Sequence, residues 1–82
     1  MSSRLSPSAI ETITYTTAFD YDGNSNLIYQ GQTVPGKAKS AATWKIKKFT
    51  YDGNGNLTDI QFSGGTETYT YIWNDRASYS YS

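Results

Sequence analysis

The sequence predicts an all-β protein: a small antiparallel sheet or two-layer β-sandwich of about 5–7 strands built from hairpins, preceded by an irregular N-terminal arm. Three observations lead there. Thr and Ser supply about a quarter of the 82 residues and aromatics 16 %, with eight Tyr, two Trp and three Phe, the composition of pleated, half-buried surfaces. No window places apolar residues at i, i+3, i+4 and i+7 behind a capping residue, so no helix is expected. A turn-forming motif also occurs twice, thirty residues apart.

Taken in order, residues 1–10 are Ser-rich, carry Pro7 and show no period, which marks an arm; residues 11–82 form a single β domain. The stretch Thr12 to Thr17 has strand composition. The repeat comes next. Phe19-Asp20-Tyr21-Asp22-Gly23-Asn24-Ser25-Asn26-Leu27-Ile28 and Phe49-Thr50-Tyr51-Asp52-Gly53-Asn54-Gly55-Asn56-Leu57-Thr58 agree at seven of ten positions. Gly and Asn tolerate positive φ, and Asp and Asn side chains bond nearby backbone, so Asp22, Gly23 and Asn24, and again Asp52, Gly53 and Asn54, are expected at hairpin turns. Gln30 to Ser40, with two Gly, one Pro and two Lys, reads as a connecting loop.

Ala41 to Tyr51 is the strongest strand. Trp44 and Ile46 share one face, and Phe49 and Tyr51 join them only if a β-bulge lies near Lys47-Lys48. The return strand Leu57 to Phe62 then directs Ile60 and Phe62 inward, so the expected core is Trp44, Ile46, Phe49, Ile60 and Phe62. Gly64 and Gly65 mark a further tight turn. Thr66 to Trp73 alternates with Tyr69, Tyr71 and Trp73 on one face. After the break at Asn74-Asp75-Arg76, where an Asp75–Arg76 ion pair is expected, Tyr79 and Tyr81 alternate with serines in a last strand, at an edge or paired with a neighbouring chain.

Composition removes whole classes of function. The chain has no His and no Cys, so histidine bases, thiol nucleophiles and the usual zinc, haem and iron–sulfur ligand sets are missing. Seven basic residues balance seven acidic ones, without the positive excess of a nucleic-acid binder. No apolar run has the length of a membrane span, and the first residues lack the apolar stretch of a signal peptide. Asp59, Glu67 and Asp75 are the acids available for acid–base work, and solvated turn acids explain them better; neither catalysis nor a cofactor is expected. Alternating oxygen side chains from Asp20 to Asn26 partly match a calcium loop, but Ser25 and Gly31 stand where an EF-hand needs Gly and Glu, so turn chemistry is preferred and no metal is expected. Lys37, Lys39, Lys45, Lys47 and Lys48 form the basic cluster, read as edge protection rather than a surface for single-stranded nucleic acid.

Folding so short a chain buries roughly 60 % of its surface, a marginal amount, and Leu, Ile, Val and Phe number only 13. Tyr and Trp are favoured at protein interfaces, so Tyr69, Tyr71, Trp73, Tyr79 and Tyr81 are the candidate interface residues of a homo-oligomer. The expected mechanism is edge pairing, in which the last strand or the arm adds to a partner's sheet.

Two resemblances bear on function. Tyr51-Asp52-Gly53-Asn54-Gly55-Asn56-Leu57-Thr58, followed by Gly65-Thr66-Glu67-Thr68-Tyr69-Thr70-Tyr71, resembles one unit of the YD repeats of bacterial Rhs and teneurin-type shells. More broadly, Tyr29-Gln30-Gly31, Pro35-Gly36, Trp44-Lys45-Ile46-Lys47-Lys48, Tyr51-Asp52, Gly64-Gly65 and Ile72-Trp73-Asn74-Asp75-Arg76-Ala77-Ser78-Tyr79-Ser80-Tyr81-Ser82 resemble small tailed-bacteriophage proteins encoded among virion and tail genes. That resemblance implies a virion structural protein, made in the host bacterial cytoplasm: a decoration, fibre, or head–tail or tail adaptor component contacting other virion proteins. It implies no catalytic or cofactor residues. The alternative is a small β-type binding module for carbohydrate or single-stranded nucleic acid, using Trp44 or Trp73 as a stacking platform.

Overall fold

The computed structural model describes residues 14–82; the expected arm and the start of the first expected strand lie outside them. Five strands, β1 (Thr16–Tyr21), β2 (Leu27–Thr33), β3 (Ala42–Tyr51), β4 (Leu57–Phe62) and β5 (Tyr71–Ile72), precede a 3₁₀ helix, Trp73–Ser78. All pairings are antiparallel. The sheet runs β1-β2-β3-β4, and β5 pairs with the beginning of β3 on the edge that β4 occupies further along. The protein is all-β, built from two hairpins side by side in one sheet rather than in two facing layers.

β3 forms the centre because it is the longest β-patterned stretch. Its register with β2 and β4 is continuous from Lys45 to Thr50. The bulge expected at Lys47-Lys48 is therefore absent, and strict alternation puts Phe49 opposite Trp44 and Ile46. Ile60, paired with Phe49, and Phe62, paired with Lys47, follow it to that second face. The core is narrower than expected: Trp44 and Ile46 are buried with Ala18 and Trp73, whereas Ile60 is 49 % exposed and Phe49 and Phe62 are half-buried. The register shifts fall instead beside the two turns, where Ile28 and Thr58 are the extra residues, and between Ala42 and Trp44.

Gln30 to Thr33 belong to β2, so the connection begins only at Val34. Gly31 explains why a glycine is needed within a strand. It lies between Ala18 of β1 and Ile46 of β3 in one cross-strand row, and a Cβ added to it would stand 2.5 Å from Trp73 Cε3 and 3.0 Å from Trp44 Cε3. The two indoles, with ring centroids 5.8 Å apart, fill the notch left by the missing side chain. Trp44 Nε1 donates to the Ala38 carbonyl at 3.0 Å, satisfying its polar atom. Thr33, fully buried, donates its hydroxyl to the Thr43 carbonyl at 2.9 Å.

The last strand expected from the Tyr–Ser alternation is reduced to a single antiparallel bridge, Tyr81 with Ser63, at the edge of the sheet. Asn74-Asp75-Arg76 curls the chain into the 3₁₀ helix, whose far end is held by Ser78 Oγ donating to the Asp75 carbonyl at 2.6 Å. The chain then returns to the outer edge of β4: Phe62 and Ser82 exchange backbone hydrogen bonds of 3.0 and 3.1 Å, and the Gly64 N–H donates to the Ser80 carbonyl at 2.7 Å.

Candidate interaction surfaces

The residues from Tyr71 onward form a lid over the Trp44 face of their own sheet. Trp73 is 3 % exposed and is buried with Ala18, Trp44 and Ile46 in a cluster against which Tyr71, Tyr79 and Tyr81 pack together with Tyr29. Tyr71 and Tyr79 meet edge to face at 4.9 Å, and Tyr29 and Tyr81 lie 5.6 Å apart. The Tyr79 hydroxyl accepts from the Ile72 N–H at 2.9 Å. Tyr81 donates its own to the Arg76 carbonyl at 2.7 Å. Burial, with Tyr29 and Tyr79 beside it, pushes the Tyr81 hydroxyl well above the ordinary tyrosine range. Of the rings expected to face a partner, these four are committed within the chain, and Tyr69 stacks on Tyr15 at 5.4 Å. A small aliphatic core needs rings from somewhere, and the nearest source is this chain's own lid.

Arg76 fastens the lid. Its Nε donates to Asp20 Oδ2 at 2.9 Å and its Nη1 to the Trp73 carbonyl at 3.1 Å, while its guanidinium carbon lies 4.6 Å from the Trp73 ring centroid. The ion pair is thus with Asp20, 56 positions away, rather than with the expected Asp75. Lys45, Lys47 and Lys48 sit on an inner strand and do not protect an edge. Their ammonium groups lie over Tyr69, Phe62 and Tyr81 at 5.2, 5.9 and 5.9 Å. Lys37 and Lys39 are exposed on the connection. Asp59, Glu67 and Asp75 are exposed on separate elements. Among the described residues there is no pocket and no group of three potential metal ligands, and no helix is long and apolar enough to cross a membrane.

The two repeat turns have the same geometry. Asp22 Oδ1 accepts from the N–H groups of Asn24 and Asn26 at 2.8 and 2.9 Å, and Asp52 Oδ1 from those of Asn54 and Asn56, both at 2.9 Å. The Asn26 and Asn56 side chains each donate to the second carboxylate oxygen at 3.3 Å. In both loops the backbone bond from the Asn26 or Asn56 N–H lowers the aspartate's pKa most. Positive φ falls not at Gly23 and Gly53 but two residues on, at Ser25 (66°) and Gly55 (83°), where a β-turn gives way to one left-handed residue before the strand resumes. Gly64 and Gly65 also have positive φ, and a Cβ on Gly64 would overlap the Tyr71 hydroxyl.

What the repeat does not equalise is exposure. Among the described residues, four of the five exposed large apolar side chains lie on the outermost strands: Phe19 and Tyr21 on β1, Leu57 and Ile60 on β4. Their repeat counterparts Phe49, Tyr51 and Leu27, on the inner strands, are half-buried. Tyr51 also donates its hydroxyl to the Leu27 carbonyl at 2.8 Å, joining the second hairpin to the first. Nothing in the composition marked these positions, because their exposure depends on strand order.

Compared with family models, curated proteins and solved structures, the chain matches none.

Proposed function

We propose that the chain is a bacteriophage virion structural protein, a decoration, fibre, or head–tail or tail adaptor component, which assembles through β-strand and aromatic contacts with copies of itself or other virion proteins and catalyses nothing. The observation that carries the assembly part is the concentration of exposed apolar side chains on the two outer strands. Monomeric β proteins commonly blunt such edges with charge, bulges or covering segments, whereas here the apolar residues stand at them. The bacteriophage setting comes from the sequence resemblance, above all the Trp73-Asn74-Asp75-Arg76-Ala77-Ser78-Tyr79 run. The binding-module alternative draws no support from Trp44 and Trp73, which are 1 % and 3 % exposed; a stacking platform needs an open ring face.

Mass spectrometry of purified particles from a phage encoding the chain tests the proposal. The protein should be present in particles, and particles from a phage lacking its gene should be defective in assembly or stability. Its absence from particles, together with normal assembly without the gene, overturns the reading.

A further inference from the structure

The chain contains a worked example of its own docking. The repeat covers residues 19–28 and 49–58, and by their place around its twin turns β1 is equivalent to β3 and β2 to β4, so the junction between β2 and β3 shows how the second strand of one hairpin receives the first strand of the next. β4 presents the same kind of edge as β2, and β1 the same kind as β3. We infer that a second copy of the chain docks head to tail, the outer edge of its β1 on the outer edge of β4, in the register with which β3 meets β2 inside one chain. This names the partner for the assembly proposed above and rests on that reading for its setting.

The register follows from the repeat of thirty. Tyr29 pairs with Lys48, Gln30 with Lys47 and Gly31 with Ile46. The equivalent pairs between copies are Asp59 with Ala18, Ile60 with Thr17 and Gln61 with Thr16. The backbone is oriented for it. The Ser63 N–H donates to the Ile46 carbonyl, and antiparallel alternation then turns the N–H and C=O of Ile60 and Phe62 away from β3. Those of Phe62 are taken by Ser82, while those of Ile60 meet no backbone partner among the described residues.

The side chains agree with the backbone. Tyr51 reaches from the second hairpin to the Leu27 carbonyl of the first. In the docked pair Tyr21 of the incoming copy takes the place of Tyr51, and Leu57 that of Leu27. Both are among the exposed apolar residues, 55 % and 48 %, and the Tyr21 hydroxyl has no hydrogen-bond partner among the described residues. Phe19 and Ile60 likewise come together across the junction. Ser82, seated on Phe62, blocks the next pair, so the contact is only three residues long plus the tyrosine bond. Association is therefore weak and concentration-dependent. Because the two surfaces differ, the contact is heterologous and builds rings or open chains rather than isolated two-fold dimers.

The chain has no cysteine, which permits a directional test. Thr16→Cys and Gln61→Cys are made in separate chains, mixed and oxidised gently. Thr16 and Gln61 would face each other in a non-hydrogen-bonded antiparallel pair, with Cβ atoms close enough for a disulfide. The expected result is a mixed disulfide dimer several-fold more abundant than the dimer of either variant alone. Tyr21→Phe should weaken self-association about five- to tenfold in sedimentation velocity, the effect of one lost hydrogen bond, with the melting temperature of the monomer unchanged. Preferential Thr16→Cys self-dimers, a protein that stays monomeric at millimolar concentration, or Tyr21→Phe with wild-type association would each overturn the inference. A monomeric protein that is nevertheless found in virions overturns this docking alone. A protein that docks as described but is absent from virions, which assemble normally without its gene, overturns the virion reading alone.

Discussion

The two hairpins start from nearly the same ten residues and end in different surroundings. Their turns match bond for bond, down to the two contacts of each aspartate Oδ1 and the bulge residue that follows. Yet Phe19 is 51 % exposed where Phe49 is half-buried, and the position of Gly31, covered by two indoles, corresponds to Gln61 at the opposite edge. Local chemistry dictates the turns, whereas place in the sheet dictates what each strand residue touches. The same motif is thus structural in the interior of the sheet and available for contact at its margins.

The largest expected difference between the hairpins lies at that last pair. Gly31→Ala forces a Cβ into the Trp73 and Trp44 rings. Overpacking of this kind costs about 2–3 kcal/mol, a fall of at least about 10 °C in melting temperature for a domain this size. Gln61→Ala, at the equivalent residue, should change stability by no more than about 0.5 kcal/mol. Similar losses at both positions would mean that the tryptophan notch is not what distinguishes them.

The turns offer a subtler contrast. Gly55→Ala places a side chain at φ 83° and should destabilise by about 1 kcal/mol, whereas Ser25→Gly, relieving the same conformation in the other hairpin, should be neutral or slightly stabilising. Chemical denaturation of both variants checks the opposite signs. The tyrosines give a comparable difference: Tyr51→Phe loses the bond to the Leu27 carbonyl and about 1 kcal/mol, while Tyr21→Phe leaves the monomer's stability unchanged.

The smallest effect is one in which the hairpins should agree. Asp22 and Asp52 are both held below the ordinary aspartate pKa of 3.8, chiefly by the Asn26 and Asn56 N–H groups. A lowered folded-state pKa contributes stability above the unfolded value, and that contribution disappears as pH falls through the folded one. Carboxylate titration by NMR should give midpoints below 3.8 in both loops, and a midpoint at or above that value in either loop would remove the equivalence.

What was legible in the sequence divides along the same line. The twin turns and the bounds of β3 follow from local residue chemistry and a period of two. Gly31 was not legible, because a glycine beside Gln-Thr-Val-Pro-Gly reads as loop until its tertiary partners are known. The alternation of Tyr79 and Tyr81 with serines imitated a strand, while the hydrogen bonds of Ser78, Arg76 and the tyrosine hydroxyls curl the chain instead. Phe49 reaches the core only through a bulge that the continuous register excludes, and Ile60 and Phe62, inward by the period of their own strand, follow β3 to the other face. The edge residues Phe19, Tyr21, Leu57 and Ile60 were invisible as a group, since which strands lie outermost depends on long-range pairing.

Both indoles of the protein, Trp44 and Trp73, occupy the same notch over Gly31. Ultraviolet emission from tryptophan therefore originates at a single place beneath the lid, away from the outer strands. Its wavelength and intensity follow the opening of the lid and remain silent when edges meet. The molecule carries an optical probe that separates a variant that has come apart inside from one that has lost only its neighbours.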